Sequence, residues 1–138
     1  MAVMPVYLAD KSALARITHD AVDERLAPLI LKGQIATCPI VDLEVLYSAR
    51  SFDHYEEVLA ERMALTSFPM TEQIAIRALK VQHRLARHGH HRLPVPDLLI
   101  AATAEANDVT VMHYDADYDR IAQITGQPTE WVVPRGSI

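Results

Sequence analysis

The chain has 138 residues, of which 50% are hydrophobic and 22% charged, a composition typical of an ordinary globular domain. This length predicts a single domain over residues 1–133, followed by a short C-terminal tail over 134–138. The 13 Lys and Arg against 18 Asp and Glu give a net charge of −5, so the overall field repels nucleic acid. A chain of this charge that handles RNA or DNA needs a metal ion or a local basic patch.

Cysteine content and hydropathy indicate the compartment. Cys38 is the only cysteine, which excludes an internal disulfide and agrees with a reducing environment. No apolar run reaches the roughly 18 residues of a membrane span. Segment 1–9 lacks the basic region of a secretory signal. We therefore expect a cytoplasmic protein with no membrane contact.

Apolar runs, helix caps and turn residues predict alternating strands and helices. In chain order we first predict a strand at 6–9, a short helix capped by Ser12, a helix over 22–32 and a strand at 35–37. Three helices follow, over 39–49, over 52–64 and from Thr71 to Gly89. The remaining elements are an extended segment at 94–96, a helix over 97–107, a strand at 109–112, a helix from Asp115 or Asp117 to Thr125, and a last strand at 131–133.

Strands separated by helices are typical of a parallel sheet covered on both faces. We therefore predict an α/β fold, a three-layer α/β/α sandwich whose central parallel sheet has four or five strands. Ligands of such sheets bind beyond the carboxyl ends of the strands. Polar residues that follow the strands are thus the candidate functional residues.

Four acidic residues are placed to meet at this edge. Asp10 ends the first strand, Asp115 follows a later one, and Asp97 opens a nearly wholly apolar helix. Glu44 falls on or beside the apolar stripe of its helix, whereas Asp42 is expected to point away from it. An inward carboxylate without a partner is costly, so Glu44 in particular calls for a functional explanation.

Convergence of these carboxylates predicts a cation. Two like charges at about 4 Å repel by roughly 4 kcal/mol at an effective dielectric near 20, and a hard divalent ion removes that repulsion. Oxygen ligands favour magnesium or manganese over zinc. The alternative is structural, because Asp97 and Asp115 are also suited to cap helices and Asp10 to begin a turn.

Four segments carry a family resemblance: Tyr7–Leu14, Ile40–Val45, Pro96–Ala104 and His113–Ala122. Over nearly its whole length the chain resembles the PIN-domain ribonucleases, specifically VapC-type toxins of type II toxin–antitoxin systems. The resemblance places the family's catalytic, metal-binding acids at Asp10, Glu44, Asp97 and Asp115. It places Asp117 in the same motif, sharing or supplementing the role of Asp115, and Ser12 in a supporting position near the metal. Lys11 departs from the family, which frequently has threonine there.

The resemblance implies a PIN-like sandwich and a magnesium-dependent endoribonuclease, with manganese as a possible substitute. It implies hydrolysis of phosphodiester bonds in structured, translation-related RNA such as tRNA or rRNA. It further implies a cognate VapB-type antitoxin, which occludes the site with an arginine-bearing segment, and a homodimer.

Basic residues are densest on the long helix and the loop that follows it. Arg77, Lys80, Arg84 and Arg87 recur at spacings of three and four, and Arg92 follows in the loop. We interpret Arg84, Arg87 and Arg92, together with Lys11, as RNA-binding candidates that guide the backbone toward the acids. The alternative is a solvated helix face.

Rival functions remain open. A phosphatase or phosphotransferase on a similar sheet is disfavoured because no glycine-rich phosphate loop is present. A receiver-type phosphorylation switch is disfavoured because 109–133 contains no lysine. A zinc site on the histidines of 83–91 lacks a thiolate and regular spacing. A catalytically silent RNA- or partner-binding module of the same fold stays as the alternative function.

Overall fold

A computed structural model describes residues 4–138, so the first three residues of the predicted domain lie outside it. Its centre is a five-stranded sheet in the order β3-β2-β1-β4-β5, with every neighbouring pair parallel. The strands are β1 (Tyr7–Ala9), β2 (Ile35–Thr37), β3 (Thr66–Ser67), β4 (Thr110–His113) and β5 (Thr129–Trp131). The parallel sheet confirms the predicted α/β class.

Seven helices connect the strands within the described residues: α1 (Lys11–Leu14), α2 (Asp20–Leu31), α3 (Pro39–Tyr47), α4 (Phe52–Met63), α5 (Glu72–Ala86), α6 (Val95–Ala106) and α7 (Asp117–Thr125). None of them is long and apolar enough to cross a membrane.

The core lies on both faces of the sheet. Successive side chains of a strand point to opposite faces, and the fully buried Leu8 and Ala9 of β1 accordingly belong to two different apolar clusters. One cluster receives the apolar stripe of α5 and much of α6. The other receives Val22 and Leu26 of α2. The result is the predicted three-layer sandwich, with β1 and β4 at its centre.

Hydroxyl side chains cap the N-termini of two long helices. The hydroxyls of Ser51 and Thr71 accept hydrogen bonds from the backbone N–H three residues on, at 3.1 and 3.2 Å, as expected of N-caps. Gly126 ends α7 with φ of 72°, a left-handed conformation that glycine adopts without a Cβ clash.

Two local predictions were wrong, and one strand was missed. Asp10, not Ser12, caps α1: its carboxylate accepts the Ser12 N–H at 3.0 Å. Only Pro94 of the segment 94–96 is extended, with φ of −54° and ψ of 135°, because α6 begins at Val95. Pro96 is compatible with the first turn of α6. The N–H groups of a first turn have no acceptor within the helix, so the missing N–H of proline costs no hydrogen bond. The exposed two-residue strand β3 was not predicted, because it has no apolar run.

Asp42 also differs from its prediction, since it is buried rather than turned away from the core. Its Oδ1 lies 3.1 Å from Nε of the equally buried Arg62 on α4. The Thr37 hydroxyl donates a hydrogen bond of 2.7 Å to the same oxygen. Apolar periodicity did not indicate this pair because its partners are twenty residues apart. The pair joins α3, which carries Glu44, to α4.

Replacing Arg62 with methionine should destabilise the protein by about 3 kcal/mol or more, because it leaves the Asp42 charge buried without its partner. Urea unfolding measures this loss. The double variant Arg62→Met with Asp42→Asn also removes the unpaired charge, so it should recover part of the lost stability. Equal stability of the parent and the single variant would show that the pair does not hold α3 and α4 together.

Candidate metal centre

The acidic residues named from the sequence lie together at the carboxyl edge of the sheet. Asp10 directly follows β1, and Asp115 follows β4, which pairs with β1. Asp97 lies in the first turn of α6, and Asp117 is the first residue of α7. The neighbouring parallel strands explain the meeting of Asp10 and Asp115, because their carboxyl ends share one edge.

Asp97, Asp115 and Asp117 form the tightest part of the group. One carboxylate oxygen of each lies within 4.8 Å of the others. An Asp115 oxygen also accepts the backbone N–H of Asp117 at 2.9 Å, which holds the turn between β4 and α7. Asp117 therefore belongs to the same group as Asp115.

Among the carboxyl groups of the site, Asp97 has the largest shift in pKa. Burial, followed by the charges of the other four acids of the group (Asp10, Asp115, Asp117 and Glu44), raises its pKa to about 8. Its Oδ2 is buried and makes no hydrogen bond. A carboxyl in this position keeps a proton near neutral pH unless a positive charge replaces it.

Glu44 borders the group from α3. Burial and the charge of Asp10 raise its pKa, while the nearby Lys11 lowers it. Its Oε1 is a second buried carboxylate oxygen without a hydrogen bond. Glu44 thus belongs to the same electrostatic system as Asp97, and Lys11 lies beside it as its neighbouring cation.

Tyr118 is a site residue that the sequence did not reveal. Its fully buried hydroxyl donates a 2.8 Å hydrogen bond to Oδ1 of Asp10 and lies 3.5 Å from Oδ1 of Asp97. Burial and these carboxylates raise the pKa of the hydroxyl, so it stays a donor. No local signal in the sequence marks this contact, because its two residues are 108 positions apart.

His113 supports the same group from β4. Its Nδ1 accepts the Asp115 N–H at 3.1 Å, and its ring lies 5.0 Å from that of Tyr118. Burial lowers the pKa of His113, so the ring is neutral and carries its proton on Nε2. A neutral ring adds no charge to the acidic group while it holds Asp115 in place.

Ser12 connects the two central strand ends. Its hydroxyl oxygen accepts the Tyr114 N–H at 2.9 Å, and its own N–H binds Asp10 at 3.0 Å. The hydroxyl proton remains available to a group in the site. Ser12 therefore fixes the backbone on which Asp10 and Asp115 are held.

The donor set fits a hard divalent cation. Five carboxylates converge here, and carboxylate is the ligand type of magnesium and manganese. The two buried oxygens without hydrogen bonds, on Asp97 and Glu44, have the lone pairs that such an ion would occupy. Without a cation the group is held together against its own repulsion.

The basic candidates on α5 lie apart from these contacts. Arg77 is engaged in a two-point ion pair with Glu105, at 2.6 and 3.1 Å. Arg84, Arg87 and Arg92 are exposed, and no side-chain hydrogen bond or ion pair joins them to the acids within residues 4–138. Their RNA-binding role stays a prediction.

Comparison with known proteins agrees with this geometry. The family model described as PIN domain matches residues 7–124. Ribonuclease VapC21 of Mycobacterium tuberculosis is 47% identical over 133 residues, covering 95% of this chain and 96% of that protein. Ribonuclease VapC51 of the same organism is 42% identical over 135 residues, covering 96% of each.

Among solved structures, VapBC2 from Rickettsia felis bound to a promoter DNA fragment contains a similar chain. It superimposes with a TM-score of 0.73 at 18% identity, covering 91% of this chain and 98% of that one, which is a likeness of fold. The fold is that of a PIN domain. The chain belongs to this family and, within it, to the VapC ribonucleases.

Proposed function

We propose that this protein is a metal-dependent endoribonuclease toxin that hydrolyses phosphodiester bonds of structured, translation-related RNA, either tRNA or rRNA. The observation that carries the proposal is the convergence of five carboxylates, two of them with buried oxygens that lack hydrogen bonds. The names of the relatives, ribonucleases VapC21 and VapC51, support the same reaction class.

The cation is magnesium, and manganese can replace it. Asp97, Asp115 and Asp117 would hold it, with Asp10 and Glu44 completing the set directly or through water. When bound, it supplies positive charge to the phosphoryl group and lowers the pKa of water at the site.

Water and side chains of the site carry out the rest of the hydrolysis. Water is the nucleophile: its oxygen bonds to phosphorus in line as the P–O bond to the leaving nucleotide breaks. Asp10 is held in one orientation by Ser12 N–H on one oxygen and the Tyr118 hydroxyl on the other. Glu44 lies at the border of the group, and its second carboxylate oxygen would take the proton of the water, while the leaving oxygen takes a proton from solvent.

Incubation of purified protein with total cellular RNA tests the reaction, with magnesium, with manganese and with chelator. Discrete fragments that require the metal support the endoribonuclease, and mapping their ends identifies the RNA. A folded, antitoxin-free protein that cleaves nothing under either metal would favour the alternative function, a catalytically silent RNA- or partner-binding module.

The partner we propose is a VapB-type antitoxin. Several similar solved structures are described as VapBC complexes, and a concentration of carboxylates attracts an arginine-bearing segment. Insertion of such a guanidinium would occupy the place of the cation and block the site. Coexpression with the antitoxin should therefore protect RNA that the toxin alone degrades.

We further propose that the chain forms a homodimer through α5 and α6. An apolar hollow between them is lined by Ala75, Leu79, Val95 and Leu99, and Leu79 and Val95 expose 66% and 60% of their surface. Exposed side chains of this size grouped on adjacent helices mark an interaction surface. Because Val95 lies two residues before Asp97, a second copy here would bring two acidic groups onto one RNA groove.

Replacing Leu79 with glutamate should convert the dimer to a monomer, since it puts a charge in the centre of the apolar contact. Sedimentation velocity measures the change. Leu31→Glu is the matched control, because Leu31 is 87% exposed on α2, and it should leave the dimer intact. A Leu79 variant that sediments like the parent would place the contact elsewhere or remove the dimer.

A further inference from the structure

A second cleft opens beside the acidic group, on the side of β4 and β5. It is an open groove of about 560 Å³, lined by Ser12, Arg16, Tyr114, Asp115, Trp131 and Arg135. Because Asp115 lines it, the cleft is continuous with the acidic group.

Two arginines of the cleft are positioned by aromatic rings. The guanidinium carbon of Arg16 lies 4.7 Å from the ring centre of Tyr114, and that of Arg135 lies 5.5 Å from the ring centre of Trp131. The two rings contact each other edge to face, with centres 5.2 Å apart. Cation–π contact restricts both guanidiniums, so the two positive charges are held on one side of the acidic group.

These arginines keep their hydrogen-bond donors available. Among residues 4–138, Arg25, Arg62 and Arg77 have carboxylate partners within 4 Å, whereas Arg16 and Arg135 do not. Within the same described residues, the Arg16 side chain donates one hydrogen bond, to the backbone oxygen of Ser12 at 2.7 Å. A guanidinium has five N–H donors in a planar fork that matches phosphate.

The backbone that carries Arg135 is attached to the same aromatic residue. The Tyr114 hydroxyl accepts the Gly136 N–H at 2.9 Å and donates to the Ile138 oxygen at 3.3 Å. Ser137 N–H closes a turn onto the Pro134 oxygen at 3.0 Å. The segment over 134–138 is thereby folded against β4, and Arg135 faces the cleft from a defined position.

We propose that Arg16 and Arg135 form a phosphate-binding subsite that holds the RNA backbone one nucleotide away from the phosphate being hydrolysed. This inference rests on the proposed endoribonuclease function. A strand whose scissile phosphate lies at the acids must place its next phosphate nearby, where five carboxylates would repel it. The paired guanidiniums offset that repulsion on the side of Asp115 and set the direction of the strand.

The position of the cleft favours RNA over a protein as its ligand. The cleft shares Asp115 with the site at which the phosphodiester must lie, so a strand that occupies one must pass the other. Its arginines are also the local basic patch that a chain of net charge −5 needs to bind RNA.

Binding of a fluorescein-labelled single-stranded RNA oligonucleotide, read by fluorescence anisotropy, tests the subsite. The Asp97→Asn protein is used throughout with magnesium, so that cleavage cannot obscure binding. Adding Arg135→Gln should weaken binding about 10-fold, as expected for one charge-assisted contact. It should also reduce the slope of log Kd against log salt concentration by about 0.7. Arg16→Gln should act in the same direction.

Lys32→Gln is the matched control, because Lys32 is exposed and precedes β2 at the opposite end of the sheet. It removes the same charge and should change neither affinity nor slope. Arg135→Lys keeps the charge but not the planar fork, and it should give an intermediate affinity. Thermal melting checks that each variant folds.

Unchanged affinity and slope in both arginine variants would overturn the proposal, as would a protein that binds no RNA at all. Loss of antitoxin binding without loss of RNA binding would also overturn it and assign the cleft to the protein partner. Because the readout is binding, a parent protein that binds RNA through Arg16 and Arg135 but cleaves none would reject the nuclease while retaining the subsite.

Discussion

Replacing Asp97 with asparagine should lower RNA cleavage at least about 100-fold, because it removes a charged ligand from the group that holds the cation. Asparagine keeps the size of the side chain, so the position at the start of α6 is preserved. Asp97 is the residue on which the other four acids converge electrostatically. It is therefore the single substitution with the greatest expected effect on activity.

The measurement is the initial rate of cleavage of a mapped RNA target at saturating magnesium. Asp108→Asn serves as control, because Asp108 is an exposed aspartate with φ of 53°, a conformation that asparagine accepts. The control should cleave at the parental rate. Parental activity in the Asp97 variant would mean that the acidic group is not the catalytic centre.

Without divalent cations, the protein should lose stability as the pH rises from about 4 to about 8. The pKa of Asp97 is raised to about 8 in the folded chain from an ordinary value of 3.8. Between these values the folded state keeps a proton that the unfolded state has released, so increasing pH favours unfolding. The free energy of unfolding should fall by at most about 1.4 kcal/mol per pH unit from this group, with no further loss above pH 8.

Urea unfolding in chelator at a series of pH values measures this slope. The Asp97→Asn variant lacks the titrating group, so its slope should be much shallower and its stability near pH 7 higher than that of the parent. Saturating magnesium should also flatten the parental slope, because the cation takes the place of the proton. A parental slope that is flat in chelator, or equal to that of the variant, would contradict the burial of this carboxyl.

The loss of cleavage expected for the Asp97 variant and the loss of stability expected at rising pH have the same cause, the closeness of the carboxylates. Five carboxylates at one edge of the sheet weaken the metal-free fold, and the same carboxylates create the affinity for a cation. A ligand that binds only the folded state returns stability in proportion to its concentration. As the magnesium concentration is increased, the occupancy of the site, the rate of RNA cleavage and the free energy of unfolding near neutral pH should therefore rise together.

Much of the architecture was predictable from local signals. The apolar stripe of α5 with Thr71 before it placed the start of that helix within one residue, whereas its end lies at Ala86, three residues before the predicted Gly89. The end of α7 at Thr125 was predicted correctly. Buried strands β1, β2 and β4 are short apolar runs, and their alternation with helices indicated the parallel sheet. Weakly apolar elements were less accurate: β3 was not predicted, and β5 lies at Thr129–Trp131 rather than 131–133.

The acidic residues were foreseeable for the same reason. Asp10 and Asp115 follow apolar runs, and the carboxyl ends of parallel strands share an edge, so sequence order and topology suffice to bring them together. The buried Asp42 was misjudged, because helix periodicity places a residue on a face without stating what lies opposite. Its partner Arg62 comes from another helix.

Residue types and their spacing thus predicted the fold class and the candidate acids, because apolar runs, caps and the residues that follow them are local signals. The family resemblance gave those acids their expected roles. Contacts between distant segments required the folded chain. Tyr118 reaches Asp10 across 108 positions, and the Arg16–Tyr114 and Arg135–Trp131 pairs meet where α1, β4 and the C-terminal segment come together. Side-chain packing selects such partners by shape and burial, and neither quantity exists until the sheet has formed.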